Sequence, residues 1–223
     1  LILRAGNSAN AAFIDQISFT VHRTTFEMTV GHKLDDDYSL AIEVSNQLMQ
    51  IFGFGITGKF GHSGGRYYRM CFRLGDELLY GRVHLGDDDN KRQADTVLVE
   101  LTGTGCGAAC DGWETRLYDF LKSAVRPNIT RCDLTRDFFD NSVYSCEKAL
   151  EDWKNGHFTT YRQAPKINPF GYGWHCDDLN AGKTLYIGTR NSGKYARIYD
   201  KVAEYKVGDQ MEWTRFEVEL RSK

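Results

Sequence analysis

"TLYIGTRNSGKYARIYDK" (Thr184–Lys201) holds two strand-like stretches on either side of a polar turn, Asn191-Ser192-Gly193. Successive side chains of an extended chain point to opposite faces, so Arg197, Tyr199 and Lys201 share one side and Ile198 takes the other. The flanking segments follow the same alternation. "ITRCDLTRDFF" (Ile129–Phe139) reads as a strand with Arg131, Asp133, Thr135 and Asp137 on one side. A strand over Met211–Arg221 puts Trp213, Arg215, Glu217, Glu219 and Arg221 on one side, with Thr214, Phe216, Val218 and Leu220 opposite. If these strands lie in one sheet, carboxylates and cations crowd a single surface around a tyrosine.

Working outward, Asn141–Trp153 has Val143, Cys146, Leu150 and Trp153 at helical spacing. The second half is therefore strand, helix, then three strands. The first half has the same order. Phe13–His22 alternates, with Ile17, Phe19 and Val21 on one face. Asp35-Asp36-Asp37 supplies an acidic helix start ahead of an apolar stripe, Leu40, Val44, Leu48 and Ile51. Glycines from Gly53 to Gly65 mark a hairpin or loop, with Lys59, Arg66 and Arg69 near enough to approach a phosphate backbone. Strands are expected at Tyr67–Arg73, Leu78–Leu85 and Thr96–Leu101, and a joining helix carries Trp113, Leu117, Phe120 and Leu121 inward. Runs of strands with few helices predict an α+β fold built on antiparallel sheet, helices packed on one face. The expected organisation is a disordered or cloning-derived N-terminus over 1–12, then one domain over 13–223 made of two pseudo-repeats, about 13–125 and 126–223.

Composition narrows the class. A chain of 223 residues with 41% hydrophobic and 13% aromatic residues can bury a sizeable core. Its apolar runs fall well short of the roughly 20 residues a spanning helix needs, which predicts no membrane segment. The six cysteines are scattered without a disulfide framework, and Cys106-x3-Cys110 lacks a second ligand pair, so reduced cysteines in a cytoplasmic protein are expected. A formal charge of −2 says little about nucleic acid, where a local basic stripe matters more than the total.

The polar faces admit two readings. One is a solvated sheet face laced with cross-strand ion pairs. The other is a catalytic surface. Asp133, Asp137, Glu217 and Glu219 are hard oxygen ligands suited to Mg²⁺ or Mn²⁺. Tyr199 is then a nucleophile toward phosphorus, with Arg197 and Lys201 stabilising developing charge. Tyr186 and Tyr195 are rival nucleophiles without cations flanking them on both sides. Arg190 and Lys194, in the turn beside the tyrosine strand, offer phosphate contacts, as do Arg131 and Arg215. His175 and Cys176 before Asp177-Asp178 are too few to make a metal site.

"TRCDLTRDFFD", "TLYIGTRNSGKYARIYDK" and "EWTRFEVELR", in that order, together with "VELTGTGC" and "FIDQISFTV", resemble the replication initiation factor family of filamentous phages and Gram-positive rolling-circle plasmids. The resemblance runs over nearly the whole chain. It implies two fused RRM-like halves and an initiator that nicks one strand of a supercoiled double-stranded origin. The 5′ phosphate would stay on a tyrosine, leaving a 3′ hydroxyl primer in the cytoplasm of a bacterial host. By resemblance the tyrosine is Tyr199 with Lys201 beside it, and the acidic positions are Asp133, Asp137, Glu217 and Glu219. A host helicase and polymerase are the implied partners, and a homodimer is allowed. No His-x-His occurs, so any metal must be held by carboxylates. A non-catalytic origin-binding or interaction module on the same fold is the alternative; a carboxylate-pair glycosidase would leave Tyr199 without a role.

Overall fold

Asp36 ends an extended stretch and starts a helix by accepting hydrogen bonds from the backbone N–H groups of Tyr38 (2.7 Å) and Ser39 (2.9 Å). The helix, α2 (Asp37–Phe52), closes at Gly53, whose φ of 84° is the left-handed turn glycine adopts without strain. Its stripe of Leu40, Val44, Leu48 and Ile51 is buried, as its spacing predicts. The computed structural model describes residues 12–59, 67–87, 93, 95–160, 162–176, 181–202 and 212–222. Residues 1–11 and the later part of the glycine-rich stretch, 60–66, lie outside that set, as do Asp177 and Asp178.

Two compact units emerge, one of residues 15–132 and one of 133–221 with Phe13 and Ile14. In the first, β1 (Phe13–His22), β2 (Ile56–Lys59), β3 (Tyr68–Leu74), β4 (Gly81–Asp87) and β5 (Thr96–Leu101) take the order β2-β3-β4-β5-β1. Neighbours are antiparallel, and β1 meets β5 with Ile17, Phe19 and Val21 opposite Leu101, Val99 and Val97. Helices α1 (Thr24–Val30), α2, α3 (Gly103–Ala108) and α4 (Trp113–Ser123) complete the unit. Arg116 of α4 donates from Nε to the Ile51 carbonyl (2.9 Å), tying α4 to the end of α2.

The second unit repeats the topology. β6 (Asn128–Phe138), β7 (Ile167–Phe170), β8 (Thr184–Gly188), β9 (Lys194–Asp200) and β10 (Thr214–Arg221) run in the order β6-β10-β9-β8-β7. In each unit the first strand lies beside the last, and the remaining three follow outward in reverse chain order. α5 (Cys146–Lys154) covers one sheet face, where Cys146, Ala149, Leu185, Ile187 and Ile198 form a buried core with Ala196 and Phe216 packed against it. The expected start at Asn141 is corrected to Cys146. Ser145 accepts from Lys148 N–H and caps the helix there, while Asp140 organises a turn by accepting from Ser142 N–H at 2.8 Å. Val143 consequently stays 55% exposed.

Three short elements were not foreseen besides α1: β2, β7 and α3. α3 is rich in glycine, a poor helix former, because the chain must pass close to a neighbour there. A Cβ on Gly105 would stand 1.9 Å from the Tyr80 carbonyl oxygen. All six cysteines are free thiols, and Cys110 lies against Arg116 Nη2 at 2.7 Å rather than beside Cys106 in a metal site. Arg69 is ion-paired with Asp37. Among the described residues no helix is long and apolar enough to cross a membrane.

Candidate active site

The sheet of the second unit separates its two kinds of side chain. Ile198, Phe216 and Leu185 face α5, and the opposite face carries the charged and aromatic residues. Register fixes which of these meet. Glu217 of β10 lies opposite Arg197 of β9, Arg215 opposite Tyr199, and Glu219 opposite Tyr195. On the far side of β9, Tyr186 lies opposite Arg197 and Thr184 opposite Tyr199.

At the centre, Arg197 Nη2 is ion-paired with Glu217 Oε1 and stands 4.0 Å from Asp133 Oδ2. Tyr199 directs its hydroxyl to the other Glu217 oxygen, Oε2, at 3.5 Å, a long hydrogen bond. Lys201 Nζ sits 5.3 Å from the centre of the Tyr199 ring, and its backbone N–H donates to the Trp213 carbonyl at 2.8 Å. Asp133 and Glu217 are 1% and 2% exposed, so this is not the solvated face that simple alternation suggests. Burial pushes the Glu217 carboxyl above the usual glutamate value; Arg197 pulls it down and Asp133, within hydrogen-bonding reach, pushes it further up. Burial opposes the Arg197 cation, but Glu217, with Tyr199 and Asp133, raises its guanidinium above the ordinary arginine value.

The other acidic residues have arginine partners. Arg215 grips Asp137 with both arms, Nε to Oδ1 at 2.7 Å and Nη2 to Oδ2 at 2.8 Å, a buried bidentate pair. The same guanidinium lies over the rings of Trp213 and Phe13, 5.7 Å and 5.6 Å away. Glu219 is ion-paired with Arg221. Arg190 and Lys194 are exposed on either side of the turn at Gly193, with Arg190 over the Tyr195 ring at 5.5 Å. Arg131 lies on β6 before Asp133, in the stretch grouped with the first unit.

The rivals of Tyr199 are differently placed. Tyr186 and Tyr195 stack on each other, rings 5.7 Å apart and 15° from parallel. Burial and the neighbouring Tyr186 push the Tyr195 phenol up, with Arg190 and Arg197 opposing and Glu219 adding to the rise, which disfavours a phenolate there.

A hard cation suits what converges. Mg²⁺ is commonly held by one or two protein carboxylates together with substrate phosphate oxygens and water. Asp133 and Glu217 supply two carboxylates, and their mutual repulsion would be relieved by a divalent ion. Thr135, two residues along the same face of β6, has a buried hydroxyl without a hydrogen-bonding partner among the described residues. Among the described residues no cluster of three or more His, Cys, Asp or Glu is placed to hold a metal.

Comparison with known proteins bears on the same strands. Residues 127–223 match the replication initiation factor family. The family resemblance read from the sequence is thereby borne out, and the matched stretch contains Asp133, Asp137, Arg197, Tyr199, Lys201, Glu217 and Glu219. Over 162 residues the chain is 28% identical to a Bacillus subtilis (strain 168) protein named "Putative DNA relaxase NicK", covering 66% of this chain and 43% of that one. It thus spans less than half the length of that relative. A solved structure of a rolling circle replication initiator protein from Geobacillus stearothermophilus shares the fold, with a TM-score of 0.61 over 94% of this chain and 74% of that one at 20% identity.

What sequence reading missed is the pairing. It grouped the right strands but treated four carboxylates as equivalent, although Asp137 and Glu219 pair with Arg215 and Arg221 while Glu217 shares Arg197 with Asp133. The available signal was register: an arginine directly opposite a glutamate follows once β9 and β10 are aligned.

Proposed function

We propose that this chain is the nicking domain of a rolling-circle replication initiator, a strand-transferring endonuclease acting on one strand of a supercoiled origin. The carrying observation is Tyr199, whose hydroxyl meets buried Glu217 while Lys201 and Arg197 flank it. Glu217 Oε2 takes the phenolic proton as Tyr199 Oη attacks phosphorus. The new O–P bond forms as the bond from phosphorus to the 3′ oxygen breaks, and a proton goes to that oxygen. The products are a 5′-phosphotyrosine and a 3′ hydroxyl that primes synthesis. Arg197 and Lys201 stabilise the charge that builds on the phosphoryl oxygens, each in a site with little competing water. Asp133 and Glu217 would hold Mg²⁺ or Mn²⁺, which when bound supplies Lewis-acid polarisation of the phosphate. In this reading Asp137 and Arg215 form a support that sets the height of β10 against β6, and Arg190, Lys194 and Arg131 contact DNA backbone. Origin DNA is the substrate, host helicase and polymerase act downstream in the bacterial cytoplasm, and a homodimer would supply two tyrosines.

One observation favours the alternative of an origin-binding module: Asp137, Glu217 and Glu219 each already hold an arginine. The deciding experiment incubates the protein with supercoiled plasmid carrying its origin in Mg²⁺, Mn²⁺ or EDTA, beside Tyr199→Phe. Metal-dependent nicking with protein on the 5′ end, lost in Tyr199→Phe, is the expected result. Origin binding without nicking, with the whole-length protein as well, overturns the catalytic reading.

A further inference from the structure

The polar face carries more than its charges. Three rows cross β7, β8, β9 and β10: Phe170, Thr184, Tyr199 and Arg215; then Asn168, Tyr186, Arg197 and Glu217; then Gly188, Tyr195 and Glu219 from β8 onward. Phe170 is 64% exposed at the edge of the sheet, its ring 6.4 Å from Tyr186 at 48°. Tyr186 in turn stacks on Tyr195, and Arg190 covers Tyr195. The result is a ridge of three aromatic rings ending in a cation, beside the candidate nucleophile and on the same face.

Phe170 and Tyr199 are separated by two strand spacings, about 10 Å between backbones. The residue between them, Thr184, has a short side chain, so the row dips there. A nucleobase occupies about 3.4 Å along a stack. By backbone spacing, the row has room for one base over Thr184, beside Phe170.

We infer that Phe170, Tyr186 and the floor at Thr184 form a base-stacking subsite for single-stranded DNA next to the scissile phosphate. It rests on the nicking reading for its position, since a base held at Thr184 places the adjoining phosphate at Tyr199. Aromatic faces stack any base, so the subsite orients the strand without reading its sequence. Duplex DNA cannot use it, because paired bases have no open faces to offer. The cations at Arg190 and Lys194 complement a phosphate backbone leaving the ridge. An exposed phenylalanine on an edge strand that merely shields the sheet would show none of these binding effects.

The test measures fluorescence anisotropy of a short labelled oligodeoxythymidine, with the Tyr199→Phe protein so that cleavage does not interfere. Phe170→Ala should weaken binding roughly 5- to 150-fold, the range for losing one base–aromatic stack. Phe170→Trp should restore it, and the salt dependence should not change. Arg190→Ala should flatten the salt dependence instead, by about 0.7 in the log–log slope for a single strand. A duplex of the same length should bind Phe170→Ala as it binds the parent. An oligonucleotide with one abasic position placed at the subsite should lose affinity for the parent but not for Phe170→Ala, a readout that needs no assumption about the variant's folding. Unchanged binding by Phe170→Ala, or equal loss for duplex and single strand, overturns the subsite. Nicking by the wild type with no Phe170 effect overturns the subsite alone; a Phe170 effect without any nicking overturns the catalytic reading alone.

Discussion

Arg215→Met separates a supporting role for Asp137 from a metal-binding one. Arg215 is 8% exposed and Asp137 7%, and both arms of the guanidinium are on the carboxylate at 2.7 Å and 2.8 Å. Removing one member of a buried pair leaves the other charge desolvated and uncompensated, which costs about 3–5 kcal/mol. Replacing both with apolar side chains removes that penalty and is often neutral. For a unit of this size each kcal/mol corresponds to about 4–8 °C in melting temperature, so the single substitution should lower the melt of the second unit by at least about 12 °C. Asp137→Val should cost a similar amount, and the double variant should melt above either single one.

The assay is a double-mutant cycle by thermal and urea unfolding without added metal, followed by intrinsic tryptophan fluorescence. A loss below about 1 kcal/mol for Arg215→Met is the level of a solvated pair and would refute the argument. A different result is equally informative. If Asp137 instead serves to hold metal, Asp137→Val should leave the stability of the apo protein unchanged while nicking disappears.

Three further outcomes follow from the same coordinates. Burial and Asp133 hold the Glu217 carboxyl above the ordinary 4.5, so the base is lost as pH falls through that raised value and the acid limb of nicking should lie above 4.5; Glu217→Gln should abolish nicking across the whole profile. Ile198→Ala, at a site fully buried under α5, should destabilise by about 2–5 kcal/mol in urea melts, and a loss under about 1 kcal/mol would contradict the assigned core. Cys110, exposed beside Arg116, should react promptly with a thiol reagent, whereas Cys146, buried and with its thiol pushed up by burial and by Asp200 and Glu147, should react only after unfolding.

Periodicity made some of this molecule legible and register hid the rest. α2 and β1 follow from side-chain spacing because each buries one face completely. β7 is four residues long, contains Pro169 and lies at the sheet edge, where proline is tolerated and no alternation can be recognised. α3 is concealed by its glycines, which the close approach of Tyr80 requires. The candidate site was visible as three strands with polar parity. Its chemistry was not, since a one-residue slip between β9 and β10 would pair Glu217 with Ala196 or Ile198 instead of Arg197. Burial was the second gap: alternation marks a polar face but cannot say that Asp133 and Glu217 are withdrawn from water.

That withdrawal is the strongest physical reason to read the face as a working surface. Buried ion pairs seldom stabilise a fold better than apolar side chains of similar volume, and two buried carboxylates side by side oppose folding outright. The stability of the second unit must come from its other face, where Ile198, Leu185, Ile187 and Ala149 pack under α5. A sheet with one apolar face already supplied could leave the other solvated at little cost. Here Arg197 is instead held between Glu217 and Asp133, and Lys201, 5% exposed, is fixed by its backbone bond to Trp213 next to the Tyr199 ring. Charges fixed in advance of substrate need little reorganisation when a phosphoryl group acquires charge, which is what transition-state stabilisation demands. The same arrangement gives a scaffold no advantage, so apolar substitution of Asp133, Glu217 and Arg197 together should leave stability unchanged or raised while it removes nicking.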